Sequence, residues 1–518
     1  MEGLLSLTPL LFLLLLSAVL VYMRRKKVLY PPGPLPKPLI GNALDMPTQR
    51  PWEKYREWCQ TYNSDIIYLH LPTHPVVVLG SIEAATDLLE KRSQIYSSRP
   101  HVEMVKLMTW DFHFGSMPYG PRWRAHRQMF HKHFHPTDAH EYHGLQLQAV
   151  RKFLLMAMRS PQHTRKYIRQ MVTSIIVSVF YGKQIKSMDD EYVVTAEIAT
   201  EGLSIAAIPG GHLVEIFSFL KYIPSWAPGG SARRIAEKYI PYVKDLRDTS
   251  FNEVKKAYDE GMPPPCIVAN LMEEIRARYG GTSDEAVQED MAKSIAGSSY
   301  TAGADTTTCA AESFVLAMAL FPQVQRRAQA ELDRVVGSGR LPTWTDFDNL
   351  PYIRATVMET MRWMPVSPFG VPHALDADDN YKGYHIPKGA WVVPNVWGMM
   401  HNPADYPDPE VFNPDRFLGA DGKVNPYVRD PGTAVFGFGR RICPGRHFGT
   451  FTLTLFIANI LHVFDISAGI DEHGQPVVLD TEMVGAMLAS PREVPCGLAP
   501  RSDVVAKLVK EVKYEYNM

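Results

Sequence analysis

FGFGRRICPG, residues 436–445, decides how this chain is read. A single cysteine, Cys443, stands there among three glycines and two arginines, with Arg446 just beyond. The thiolate is the form of cysteine that binds a metal, and positive neighbours together with backbone N–H groups aimed at the sulfur favour it. Arg440, Arg441 and Arg446 supply the charge, while Gly437, Gly439 and Gly445 let the backbone turn toward the sulfur. Pro444 and Gly445 suit the turn into a helix, whose positive end favours S⁻ further. The stretch also opens with G-x-G, but Ile442 occupies the third glycine position of a dinucleotide fingerprint, which argues against a nicotinamide site on this chain.

Outside this loop, length and composition set bounds. The chain has 518 residues, and no Ser/Gly-rich or charge-rich linker follows residue 45, so one large domain over 46–518 is expected. A net charge of −1 implies no nucleic-acid partner. Five cysteines, an odd number without cluster spacing, point to a reducing compartment and to neither an iron–sulfur cluster nor a zinc ribbon. Residues 3–23 are uncharged and long enough to cross a bilayer, so 1–23 is expected to be a transmembrane anchor. Arg24, Arg25, Lys26 and Lys27 then place the rest in the cytosol, and the proline-rich end of the 24–45 linker is a stiff spacer. Ile66 to Leu79 predicts a hairpin, and Ser81 starts a helix to about Arg92. A second hairpin is expected from Tyr384 to Val393 around Pro387–Gly389, and a last one at 483–491 closes the chain. Asp284 to Phe321 reads as one long helix stopped by Pro322. Its centre, AGADTTT at 302–308, breaks helix propensity with one glycine and three threonines, and such local rule-breaking marks a functional site.

Phe436, Gly439, Arg441, Cys443 and Gly445 fill every fixed position of F-x-x-G-x-R-x-C-x-G, and the chain thereby resembles the cytochrome P-450 superfamily, most closely its microsomal fungal secondary-metabolism branch. The resemblance implies a mainly α fold with small β-sheets: a single large triangular catalytic domain behind an N-terminal transmembrane helix. It implies haem b, iron protoporphyrin IX, with Cys443 as axial metal ligand and Phe436 and Arg441 in the cofactor loop. WRAHR at 123–127 resembles the segment whose tryptophan and second basic residue, here Trp123 and Arg127, hold a haem propionate. His373, ending PVSPFGVPH, is the expected second contact of that kind. Ala302, Gly303, Asp305 and Thr306 match the oxygen-binding motif: Gly303 leaves room for dioxygen, Thr306 donates to it and Asp305 relays protons. Glu359, Arg362 and Arg416 match a buried structural triad, with Asp415 where many relatives have Glu. Leu107, Trp110, Ile208, Val366, Phe369 and Met487 are the expected substrate contacts.

The activity so implied is insertion of one oxygen atom from O2 into an apolar or aromatic small molecule, a terpenoid, steroid or alkaloid. NADPH-cytochrome P-450 reductase is the expected electron donor, with cytochrome b5 as a second partner, and the endoplasmic reticulum membrane the expected location. The alternatives are a haem-thiolate rearranging enzyme or peroxygenase, which needs no proton relay, and a non-catalytic haem-binding sensor.

Overall fold

The computed structural model describes residues 28–134, 139–207, 211–485 and 487–515. The anchor expected at 3–23, the basic residues 24–27 and Ile208 lie outside them. Among the described residues no single helix is long and apolar enough to cross a membrane.

The main helices begin with α1 (Pro51–Thr61). The predicted hairpin follows, β1 (Ile66–His70) antiparallel to β2 (Pro75–Leu79). Ser81 then caps a helix by accepting the Ala84 N–H, as its side chain predicts, and the chain stays helical to Lys91, widening into π turns after Ala85. Next come α2 (Glu103–Leu107), α3 (Pro121–His133), α4 (His143–Arg159), α5 (Thr164–Tyr181) and α6 (Glu191–Ala206). They are followed by α7 (Ser231–Asp259), α8 (Ile267–Tyr279), α9 (Asp284–Leu320), α10 (Pro322–Val335) and α11 (Pro351–Trp363). After them lie β3 (His373–Ala374), β4 (Asp379–Tyr381), β5 (Tyr384–Ile386) and β6 (Trp391–Pro394). The cysteine loop leads into α12 (Arg446–Val463), then β7 (Phe464–Ala468), β8 (Met483–Gly485), β9 (Ala489–Pro491) and β10 (Cys496–Pro500). The last hairpin, β8 with β9, is as expected, but it does not close the chain: α13 (Asp503–Glu515) follows β10 and packs against α4 and α12, with Val505, Val509 and Val512 buried.

The largest sheet has the order β1-β2-β6-β3, with β2 and β6 parallel and β6 and β3 antiparallel. The hairpin expected from Tyr384 to Val393 is not formed. β5 pairs with β4, whereas β6 joins β2, whose Val77 and Val78 give the all-apolar run Val392–Val393 a better covered partner.

α9 runs 37 residues, about 55 Å at helical rise, through the middle of the core. Its hydroxyl residues do not break it, because they bond back to carbonyls one turn earlier: Ser298 to Ser294, Ser299 to Ile295, Thr306 to Ala302 and Thr308 to Ala304. The Glu215 carboxylate accepts the N–H groups of Glu103 and Met104 at the start of α2, both at 2.9 Å. Lys221 pairs with Glu103 at 3.1 Å, so two contacts fasten the 211–222 segment to α2.

Candidate functional site

Two glycines shape the cysteine loop. Gly437 (φ 76°) and Gly439 (φ 55°) adopt the left-handed conformation, and a Cβ on Gly439 would lie 2.1 Å from the Leu89 carbonyl oxygen. With the loop so folded, the Cys443 N–H donates to the Phe436 carbonyl at 2.8 Å, and the sulfur meets the Gly445 N–H at the start of α12. Burial raises the Cys443 pKa, opposed by that N–H and by Arg127 and Arg446. A metal cation bonded to the sulfur would favour the thiolate.

Beside the cysteine lies a group of positive side chains. Arg441 is almost fully buried; its Nε donates to the Ser97 carbonyl at 2.7 Å, its Nη2 to the Met117 carbonyl at 2.6 Å, and its guanidinium lies 4.2 Å from the Trp123 ring centre. Its Nη1 is buried without a partner. Burial, then Arg127, bring the Arg441 pKa down to about 9. Burial also lowers the Arg127 pKa, and Cys443 counters it. His373 Nδ1 donates to the Tyr96 carbonyl at 2.7 Å, which leaves Nε2 for another partner; burial, then Arg99 and Arg441, keep the ring neutral. Among the described residues no carboxylate forms an ion pair with Arg99, Arg127 or Arg441. Cations held at depth around an unsatisfied Nη1 and a cysteine suit a flat metal-bearing group with carboxylate arms, the donor set of haem.

Arg99 was not anticipated. It donates through Nε to Gly115 at 3.1 Å and through Nη1 to the carbonyls of Val371 and Pro372 at 2.7 and 2.9 Å, and burial holds its pKa well below the usual arginine range. It belongs to no sequence motif, and only folding brings it beside His373 and Arg441.

α9 passes the start of α12, where a Cβ on Gly449 would come 3.9 Å from Thr307 Oγ1. The Thr306 hydroxyl, one residue before, donates to the Ala302 carbonyl at 2.7 Å and must rotate to serve any other acceptor. Asp305 pairs with Arg169 at 3.0 Å, and Arg169 also holds Glu197 at 2.6 Å, so one guanidinium bridges α5, α6 and α9. Burial raises the Asp305 pKa and Glu197 adds to it, while Arg169 opposes. Gly303 also serves the packing of α5: a Cβ there would stand 2.8 Å from Ile176 Cδ1.

Glu359, Arg362 and Arg416 do meet. Arg362 donates twice to the Glu359 carboxylate at 2.7 and 2.9 Å, Arg416 Nε lies at 3.2 Å, and Glu359 and Arg362 are wholly buried. The expected substrate contacts divide. Leu107, Val366 and Met487 are half-buried, and Ser367 ties to the Met487 carbonyl at 3.1 Å, which joins two of the segments. Trp110 has no exposed surface and stacks on Phe112 at 5.4 Å, which makes it core rather than contact. Phe369 leans on Trp52 and Tyr55 of α1, at 5.9 and 6.5 Å, in an aromatic cluster that holds the sheet to α1.

The arrangement defines a haem-thiolate oxidoreductase. The chain matches the cytochrome P450 family over residues 31–494 and belongs to it, so its mainly helical architecture with small sheets is the P450 fold and its class of activity is monooxygenation. Among similar proteins, cytochrome P450 monooxygenase COX2 of Coprinopsis cinerea is 40% identical over 93% of this chain and 91% of its own length. Cytochrome P450 monooxygenase ple1 of Rhodocybe pseudopiperita is 40% identical over 94% and 92%, and tryptamine 4-monooxygenase of Psilocybe cyanescens 35% identical over 96% and 98%.

Proposed function

We propose that the chain hydroxylates an apolar or aromatic small molecule in fungal secondary metabolism, with NADPH-derived electrons reaching it through a separate flavoprotein reductase and cytochrome b5 as a second donor. Cys443 would bind the haem iron through its sulfur. Arg99, Trp123, Arg127, His373 and Arg441 hold the propionates, and the unsatisfied Nη1 of Arg441 is the observation that supports their assignment. When bound, the haem supplies reductive activation of dioxygen.

The protein supplies the rest. Thr306 Oγ1 turns from Ala302 to hand a proton toward dioxygen, and Asp305, released from Arg169, replaces it. Each turnover takes two electrons and two protons, leaving one hydroxyl on the substrate and one water. A dedicated acid–alcohol pair argues against the rearranging and peroxide-driven alternatives. Arg440 and Arg124, grouped around Tyr119 on the surface beside the cysteine loop, fit an acidic electron donor. Residues 3–23 hold the enzyme to the endoplasmic reticulum with the catalytic domain in the cytosol, and Leu107, Val366 and Met487 face substrate. The relative named for 4-monooxygenation of tryptamine supports aromatic amines as one substrate class; terpenoid and steroid skeletons suit an apolar lining equally.

The deciding experiment compares reduced carbon monoxide spectra of the wild type and Cys443→Ala in membranes containing reductase. The wild type gives the thiolate-type band and turns over with NADPH; Cys443→Ala gives none. A thiolate-type band that survives in Cys443→Ala refutes the assignment.

A further inference from the structure

The loop that follows α2 carries a polar pair, His113 and Ser116, among the apolar residues of 112–117. Its neighbours fix where it lies. The Phe112 ring fills the space over Gly297 of α9, where a Cβ would meet it at 3.3 Å, and the Phe114 N–H lies 3.3 Å from Ser298 Oγ on the same helix. Phe114 also packs on Phe130, 5.7 Å between ring centres. At the next residue, the Gly115 carbonyl accepts from Arg99 at 3.1 Å, and Arg99 reaches the Val371 and Pro372 carbonyls, while the Met117 carbonyl accepts from Arg441. Residues 112–117 therefore span from α9 to the propionate-binding arginines, across the face where substrate lies if the haem site is as proposed.

His113 sits between Phe112 and Phe114, and its ring is not packed with theirs. It lies against Gly115, where a Cβ would come 2.8 Å from Cε1, and edge-on to Trp110 at 6.1 Å. Nδ1 is 3.4 Å from Ser116 Oγ, while Nε2 has no hydrogen bond among the described residues and is not among the walled-off polar atoms. The residue is partly buried and keeps some accessible surface. Burial brings its pKa down to about 4, and no charged side chain contributes, which sets it apart from His373 in the arginine group. A neutral imidazole engaged at Nδ1 offers one free nitrogen, which accepts or donates according to tautomer.

We propose that His113, oriented by Ser116, hydrogen-bonds one uncharged polar group, a hydroxyl or a carbonyl, on an otherwise apolar substrate. The assignment names the substrate class of the haem site and rests on that site. It makes His113 a specificity residue: it selects which end of the molecule points away from the cysteine. A hydrocarbon lacking the group leaves Nε2 unsatisfied, whereas a carboxylate gains no cationic partner there.

The test uses the haem-loaded enzyme and 1-alkylimidazoles, whose ring nitrogen ligates the iron, against 1-(ω-hydroxyalkyl)imidazoles of the same chain length, from butyl to decyl, with dissociation constants read from difference spectra. In the wild type, at one or two adjacent lengths, the hydroxylated probe binds about three- to tenfold tighter than the trend of the other lengths predicts, the worth of one neutral hydrogen bond. His113→Phe removes that excess without changing the alkyl series by more than about twofold, and His113→Gln restores part of it. A wild type with no favoured length, or a His113→Phe that keeps it, overturns the proposal while the haem assignment stands. A protein without a thiolate-type carbonyl band overturns the haem assignment instead.

Discussion

Gly439→Ala tests whether the cysteine loop is held by backbone geometry. The alanine Cβ would lie 3.1 Å from the Leu89 carbonyl carbon and 2.1 Å from its oxygen, the latter more than 1 Å short of the 3.4 Å where ordinary contact begins. Leu89 cannot retreat, since its side chain is wholly buried and its backbone belongs to the helical segment before Lys91. The loop must move instead, and with it the Cys443 N–H bond to Phe436. Left-handed conformation at a non-glycine residue costs about 1–2 kcal/mol and overpacking about 1–3, together roughly 2–5 kcal/mol. That is a large share of the ~5–15 kcal/mol that holds a typical protein folded. Gly437→Ala is the control: its φ is also positive, but the nearest atom to its Cβ is the Arg441 carbonyl oxygen at 3.9 Å, so only the conformational part applies. Haem per protein, from the reduced carbonyl spectrum, and the half-life of that band on warming are the readouts. Gly439→Ala is expected to hold less than about a tenth of the wild-type haem and Gly437→Ala more than about half. Equal haem content and half-life in Gly439→Ala and the wild type would refute the reasoning.

Glu359→Gln leaves two guanidinium groups, that of Arg362 wholly buried, facing a neutral amide, so it destabilises the fold by about 3–5 kcal/mol, seen as loss of soluble holoenzyme and faster thermal inactivation. Arg99→Gln removes a charged donor from the propionate side; transfer of haem to an apoglobin acceptor accelerates roughly 10- to 100-fold, while the carbonyl band stays of thiolate type. Thr306→Ala keeps its haem but loses about tenfold or more of product per NADPH, the balance appearing as peroxide; unchanged coupling contradicts the proton-delivery role. Because burial raises the Asp305 pKa, its carboxyl keeps a proton to higher pH than a free aspartate. Product yield per NADPH is therefore highest below the raised pKa and falls as pH climbs through it, and Asp305→Asn flattens that limb; a wild-type profile retained in Asp305→Asn excludes the relay.

What was legible in the sequence depended on how local the cause is. α9 came out within one residue because its stop, Pro322, and its pattern lie on the segment itself. The acid–arginine triad was legible only through its match to family motifs, since Glu359 and Arg362 three apart on a helix read by themselves as an exposed pair. Arg99 and Arg169 were not, because a lone arginine carries no sign of the carbonyls or carboxylates that folding brings to it. The pairing of β6 with β2 was missed for the same reason, its partner being three hundred residues earlier. Gly303 was singled out by its motif, while its packing against Ile176 on another helix was not legible. α13 was within reach, since Val505, Val509 and Val512 repeat at helical spacing.

That β6 lies beside β2 has a consequence for biosynthesis. His373 pairs with Val392, and Val392 with Val77, so the shelf that carries the histidine is complete only after the ribosome has passed residue 394. Cys443 emerges later still. Nascent chains shorter than this have helices to collapse but no finished pigment site, and contacts so distant along the chain are slow to form. The porphyrin therefore joins an almost completed polypeptide, and scarcity of it leaves a late, nearly folded apoprotein rather than an early fragment.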